Sequence, residues 1–301
     1  MVRKVLVGQE DALEGVLTAL LAGGHVLLEG VPGIAKTLMA KLVARSLSLE
    51  FRRIQFTPDL MPTDVTGTTV FNLQDSQFHF KPGPAFTNLL LADEINRAPA
   101  KTQAALFEVM EEQQLSIDGV THRLEPPFMV LATQNPIDQE GTYQLPEAQL
   151  DRFLFRIKLG YPSLEEESDI LIRFASNFVG DPLEKVESVL SREEIVTGQQ
   201  LTEEVYIEEQ VLRYIARLVH RTRGHKDLEL GGSPRASLGV MRAAKARAVL
   251  QGREFVIPED VQWALPLVLN HRIMLNPERE LDGTAPEEVI AAIVAQEEVP
   301  R

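Results

Sequence analysis

The sequence contains no cysteine, which excludes disulfides, thiolate zinc sites, iron–sulfur clusters and cysteine nucleophiles. Aromatic residues are scarce at 6 %, and the single tryptophan, Trp263, lies in an apolar stretch that reads as core of the C-terminal half. No apolar run approaches the roughly 20 residues that span a bilayer. Met1-Val2-Arg3-Lys4 leads into ordinary sequence without the apolar region of a signal peptide. Basic residues are outnumbered, 30 against 44 acidic, for a net charge of −14. That field repels nucleic-acid phosphates and anionic lipid, so either contact would need a local basic patch. The six histidines (25, 79, 122, 220, 225 and 271) show no spacing typical of zinc. These absences predict a soluble, cytoplasmic protein without membrane insertion. At 301 residues and 44 % apolar, the chain can build one large domain or two ordinary ones around a proper core.

In the first half, short apolar runs alternate with helix-forming segments. Residues 25–29, 51–56, 88–93, 128–133 and 153–159 read as strands, with a helix over 36–47. Continuous apolar strands of this kind indicate a parallel sheet covered on both faces. Residues 58–86, with prolines at 58, 62, 82 and 84, are too long for a plain connection and read as a functional insertion. Within 111–124, Asp118-Gly119 flanked by alternating residues signals a hairpin. The character changes near Tyr161-Pro162-Ser163, where Ser163 and Glu166 have the spacing of a helix capping box. Downstream segments are helical. Val211, Leu212, Ile215, Leu218 and Val219 share one face of one helix, with arginines 213, 217, 221 and 223 elsewhere. Neither half is basic: residues 1–161 sum to −5 and the rest to −9.

The chemistry-bearing residues cluster at the ends of the apolar runs. Gly30-Val31-Pro32-Gly33-Ile34-Ala35-Lys36-Thr37 sits between the first strand and its helix. Glycines there let backbone N–H groups converge on phosphate oxygens. A lysine reaches the β/γ-phosphates and a hydroxyl serves Mg²⁺. The glycine expected before the lysine is Ala35. Alanine keeps its N–H, so the cradle survives at negative φ, whereas positive φ costs roughly 1–2 kcal/mol. Asp93 and Glu94 end the buried third strand. An acidic residue in that position holds Mg²⁺ opposite the phosphates, and its neighbour can polarise an attacking water; a helix N-terminus would also favour these acids. Asn135, after the fourth strand, suits either orientation of that water or a turn before Pro136. Arg152 suits either a neighbouring subunit's γ-phosphate or a pair with Asp151. Ser233-Pro234-Arg235 opens a helix, with Ser233 as its cap.

Taken together, these residues resemble the MoxR family of AAA+ ATPases. Leu91-Ala92-Asp93-Glu94-Ile95-Asn96-Arg97-Ala98-Pro99 is similar to that family's nucleotide-hydrolysis strand, and Ala132-Thr133-Gln134-Asn135-Pro136 to its first sensor. The stretch 145–153 resembles its arginine-finger region, and Gly232-Ser233-Pro234-Arg235 its second sensor. Gly33-Ile34-Ala35-Lys36-Thr37 resembles its phosphate loop, where alanine is usual, and Val7-Gly8-Gln9 the segment over the adenine.

The resemblance implies an α/β P-loop NTPase fold: a five-stranded parallel sheet in an αβα sandwich over 1–161, then an all-helical lid over 162–301. It makes 58–86 an insertion in the second helix and 111–124 a hairpin before the first sensor. ATP and Mg²⁺ are the implied cofactors, with phosphates on Gly30, Pro32 and the backbone of Gly33, Ile34, Ala35, Lys36, Thr37 and Leu38. Thr37 and Asp93 would hold the metal, Glu94 and Asn135 the water, and Arg152 and Arg235 would sense the γ-phosphate. The implied activity is ATP hydrolysis that remodels or matures partner complexes. Partners would be protein clients, von Willebrand factor A-domain proteins among them, and a homo-oligomeric ring, commonly a hexamer. Two rivals differ in class. A DNA-directed motor would use the arginines at 213–223 as a basic patch, against the acidic total, and a nucleotide-gated scaffold would have no need of Glu94.

Overall fold

The computed structural model describes residues 8–31, 33–135, 143, 145–176 and 186–300. In chain order, α1 (Glu10–Leu21) precedes β1 (Val26–Glu29), α2 (Lys36–Ser46) and β2 (Phe51–Gln55). The next elements are α3 (Pro62–Thr66), β3 (Gly67–Asn72), β4 (Gln77–Pro82), β5 (Leu89–Asp93) and α4 (Ala100–Glu112). β6 (Gln114–Ile117), β7 (Val120–Arg123), β8 (Met129–Gln134), α5 (Glu147–Leu150) and β9 (Phe155–Lys158) follow. The rest comprises α6 (Leu164–Ser176), α7 (Arg192–Glu204), α8 (Glu209–Thr222), β10 (Leu228–Leu230), α9 (Pro234–Leu250), α10 (Pro258–Leu269), β11 (Met274–Leu275), α11 (Pro277–Leu281) and α12 (Pro286–Gln296).

Five strands form a parallel sheet in the order β2-β5-β8-β1-β9. Every residue of β1 and β5 is buried, which is why both read as unbroken apolar runs. The order places β5, β8 and β1 side by side, so three strand ends carrying chemistry become neighbours. His25, just before β1, is a core residue. Its Nδ1 accepts from the Val130 N–H, so Nε2 carries the proton and donates to the Met110 carbonyl.

β6 and β7 form the expected hairpin, with Asp118 at φ 51° and Gly119 at φ 79°. Left-handed backbone at both turn residues matches the twist of paired strands. The 58–86 stretch carries α3 and a second antiparallel hairpin, β3–β4, registered from Gly67↔Pro82 to Asn72↔Gln77. That hairpin escapes periodicity because both strands are mostly exposed, so no polar–apolar alternation marks them. Ser163 caps α6 as expected: its N–H donates to Glu166 at 2.7 Å, and the Glu166 N–H donates back to its hydroxyl at 3.3 Å.

The chain divides into two compact units: Met1–Glu14, His25–Leu145 and Ile157–Val196 form one, and Gly15–Gly24, Pro146–Arg156 and Thr197–Arg301 the other. The second unit is built on α8, α9 and α10, with Ile215, Leu218, Val240, Ala244, Val261 and Leu265 in its core. It adds a two-stranded antiparallel β10–β11 pair to the helices. On α8 the buried stripe is Val211, Tyr214, Ile215, Leu218, Val219 and Thr222; Leu212 points outward, one position off the predicted face. His271 and Arg272 lie in the turn after α10 rather than within a helix.

Candidate functional site: a phosphate loop beside an acidic strand end

The loop after β1 starts at Gly30, whose N–H donates to the Gln134 carbonyl and whose carbonyl accepts from Lys36 Nζ. A side chain at Gly30 would collide with the Leu159 carbonyl, its Cβ lying 2.8 Å away. Gly33 takes φ 89°, and Ala35 takes φ 62°, ψ 21°. Ala35 therefore occupies the left-handed region, and the negative φ on which the cradle was conditioned is replaced by a strained one. Strain of this kind persists where the surroundings fix it. Ile34 is buried beneath the loop, and α2 starts at Lys36 without a side-chain cap. The first-turn N–H groups of a helix have no intrahelical partner, so this N-terminus suits an anion. Thr37 and Leu38 lie in that first turn, half-buried. Gly8 and Gln9 lie just before α1, and Gln9 Nε2 donates to the Gly160 carbonyl at 3.4 Å. Val7 and Pro32 lie outside the described residues.

Asp93 ends β5 almost fully buried. Thr133 Oγ1 donates to its Oδ1 at 2.6 Å, and Arg53 donates to its Oδ2 from Nη2 at 2.6 Å and Nε at 3.1 Å. The same Thr133 oxygen accepts the Glu94 N–H at 2.8 Å, which holds Glu94 in left-handed backbone at φ 56°. The Glu94 carboxylate accepts from Gln55 Nε2 at 2.9 Å and pairs with Arg97 at 3.0 Å. Asn135 follows the last residue of β8, whose register partner is Glu29 of β1. Burial pushes the Lys36 ammonium below its usual range, against the opposing pull of Asp93, Glu94 and Glu29. One lysine thus answers to three carboxylates from the ends of β1 and β5, the strands on either side of β8. In open α/β sheets, the carboxyl ends of the strands are where ligands bind.

Arg53, Gln55, Arg97 and Thr133 are residues that sequence reasoning left unassigned. Arg53 and Gln55 alternate on an edge strand and so share a face, which was the available signal. Their partners on β5 become known only from the strand order.

Two further predicted residues lie in the second unit. Arg152 donates from Nη1 to the Ala148 carbonyl at 3.1 Å. Arg235 opens α9 after Ser233 and Pro234, and its Nη1 lies 3.6 Å from Asp151 Oδ2. Asp151 is also bound by Arg272, at 2.6 Å. The α8 arginines are occupied: Arg213 pairs with Glu209, and Arg217 and Arg221 share the buried Glu297. Arg223 donates to the Gly232 carbonyl.

Residues 25–155 match the model of the ATPase family associated with various cellular activities (AAA), and residues 220–293 that of the AAA lid domain. The uncharacterised protein YeaC of Bacillus subtilis is 46 % identical over 99 % of this chain and 92 % of its own length. Chaperone MoxR1 of Mycobacterium tuberculosis is 44 % identical over 100 % of this chain and 81 % of its own. The chain belongs to the MoxR family of AAA+ ATPases. A crystallised protein from Cytophaga hutchinsonii, described as a candidate ATPase, superposes on this MoxR-family chain with a TM-score of 0.90. It shares 42 % identity over 99 % of this chain and 92 % of its own. The five-stranded parallel sheet and helical second unit are the AAA+ P-loop fold. Family membership implies nucleotide binding. Among the described residues, no helix is long and apolar enough to cross a membrane.

Proposed function

We propose that this chain is a Mg²⁺-dependent ATPase that couples hydrolysis to remodelling of partner proteins. The observation that carries this is the convergence of Lys36, Asp93 and Glu94 at the carboxyl ends of β1 and β5, the two strands that flank β8. The backbone from Gly33 to Leu38 and Lys36 hold the phosphates, and Gly8 and Gln9 lie by the adenine. The Thr37 hydroxyl and Asp93 carboxylate are hard oxygen donors suited to Mg²⁺. Asp93 fits a cation: its buried carboxylate already draws the Arg53 guanidinium to Oδ2. When bound, the metal neutralises phosphate charge. Glu94 takes the proton of the attacking water and Asn135 aligns that water. In this reading 1–161 is the nucleotide-binding core and 162–301 the lid; Arg235 senses the γ-phosphate from its own chain, and Arg152 reaches a neighbour's in a homo-oligomeric ring, commonly a hexamer. Catalysis here is positioning and charge stabilisation.

The name Chaperone MoxR1 carried by a relative at 44 % identity supports a chaperone-like role acting on protein clients; von Willebrand factor A-domain proteins are the clients that the sequence resemblance implies. Duplex DNA is the weaker partner, since the α8 arginines that would contact phosphates already hold Glu209 and Glu297. Steady-state phosphate release with bound-nucleotide measurement tests the reading. Glu94→Gln should keep ATP affinity and lose about 10²–10⁴ in turnover, the range for a positioned general base. Lys36→Ala should lose both. Wild-type turnover in Glu94→Gln would remove Glu94 from its role, and DNA-stimulated hydrolysis would restore the DNA motor.

A further inference from the structure

The buried side chains after α10 have no role in the chemistry proposed above, yet they make a dense polar cluster. Arg272 is almost wholly buried. A guanidinium has five N–H donors, and all five of Arg272 are bound. Nε donates to Asp151 Oδ1 at 2.6 Å; Nη1 donates to the carbonyls of Leu154 at 3.1 Å and Val268 at 2.6 Å; Nη2 donates to those of Asp151 at 2.9 Å and Phe153 at 2.7 Å. Four of these acceptors belong to the turn between α5 and β9, the turn that carries Arg152. The preceding residues hold the same segment. His271 Nε2 donates to the Phe153 carbonyl at 3.0 Å, and Asn270 Nδ2 to the Arg156 carbonyl at 3.0 Å. Asp151 Oδ2 faces Arg235. Residues 146–156, including the first two residues of β9, accordingly cluster with the helical unit.

A buried charge is a costly way to fill space, because apolar residues of similar volume are often neutral or stabilising. A saturated fork does something packing does not: it fixes the carbonyls of one turn in a single arrangement. Oriented groups aimed at developing charge lose much of their effect when displaced by about 1 Å. We propose that Arg272, backed by His271 and Asn270, is the positioning residue for Arg152. It locks the arginine-bearing turn to the helical unit, so that any movement of that unit carries Arg152 with it. This rests on the reading of Arg152 as the residue that reaches a neighbour's nucleotide.

Mixed assemblies test it. A Lys36→Ala subunit cannot turn over but keeps its Arg152, whereas an Arg272→Lys subunit keeps its own phosphate loop and has three donors on one nitrogen in place of a five-donor fork, so it loses at least two of the five directed bonds. Alone, Arg272→Lys should bind nucleotide within twofold of wild type and lose at least about 10²-fold in kcat. Mixed equally with Lys36→Ala, it should regain at least tenfold per Arg272→Lys subunit, because half its neighbours now present an ordered arginine. Arg152→Ala mixed with Lys36→Ala is the control and should recover likewise. Recovery in the control with none for Arg272→Lys would overturn the inference and leave the finger standing; so would an unchanged kcat in Arg272→Lys. No recovery in either mixture would overturn both the finger and the inference. Should Arg272→Lys fail to fold, Asp151→Asn, which keeps the turn's carbonyls but removes the charge that Arg272 grips, takes its place with the same expected outcomes.

Discussion

The two proposed sites of this chain are assembled in opposite ways. Around Lys36 and Asp93, each functional group lies within a short contiguous motif at a strand end, and the sheet order β5-β8-β1 brings the motifs together. Around Arg152, the residue itself is local, but what holds it comes from Asn270, His271 and Arg272, far along the chain. The first site is built from backbone direction: strands aim their ends, and a helix N-terminus supplies donors. The second is built from side chains that satisfy the carbonyls of a turn with no ladder to join. A site of the first kind tolerates change in the surrounding side chains. A site of the second kind depends on each of them.

That contrast can be broken by substitution. Arg152→Ala should have the largest effect, a loss of about 10³–10⁵ in kcat, the range for arginine fingers. In mixed assemblies the loss should spread to wild-type neighbours, and simple proportional loss would place Arg152 outside the trans role. Next is the pH dependence of the clamp. Burial first, and then the charges of Arg272 and Arg156, hold His271 well below the usual imidazole range, against the pull of the Phe153 carbonyl. Its neutral form is favoured in the folded state, while the unfolded chain protonates near the ordinary value of about 6.5. The stability it contributes is therefore full above that value and is lost as pH falls through it, by up to about 1.4 kcal/mol per pH unit. Thermal melts from pH 7.5 to 5 should fall more steeply for wild type than for His271→Gln; parallel curves would contradict the assignment.

Two smaller effects sharpen the first site. Ala35→Gly removes a Cβ from left-handed backbone and should stabilise the fold by about 1 kcal/mol or less, the relieved strain being partly offset by glycine's entropy. Denaturant unfolding checks this, and a loss of stability would show that Ala35 fills space the geometry assigns to strain. Arg53→Ala frees Asp93 Oδ2 and should lower the Mg²⁺ concentration for half-maximal nucleotide binding severalfold. A higher requirement would make Arg53 a support of the cation rather than its competitor.

Much of the sheet was legible because full burial leaves no polar residue to interrupt β1 or β5, and because Asp118-Gly119 dictates its own turn. The β3–β4 hairpin was not, since exposed strands carry no alternation to read. The grouping of Lys36 with Asp93 and Glu94 was legible because each follows or ends an apolar strand run. The positive φ of Ala35 was not, because alanine gives no sign of it in a sequence. Arg53 and Gln55 were hidden by their position on an edge strand, where charged residues are ordinary. Leu212 was misplaced by one position because Tyr214, amphipathic by composition, takes the buried place instead.

The central claim is that the loop at residues 30–38 and the acidic end of β5 hold one triphosphate together with a divalent cation. Titrating a non-hydrolysable ATP analogue into the wild-type chain, with and without Mg²⁺, tests this most directly. The account predicts one binding event per chain, strengthened by Mg²⁺ and abolished in Lys36→Ala. Binding that is indifferent to both the metal and Lys36 would contradict it.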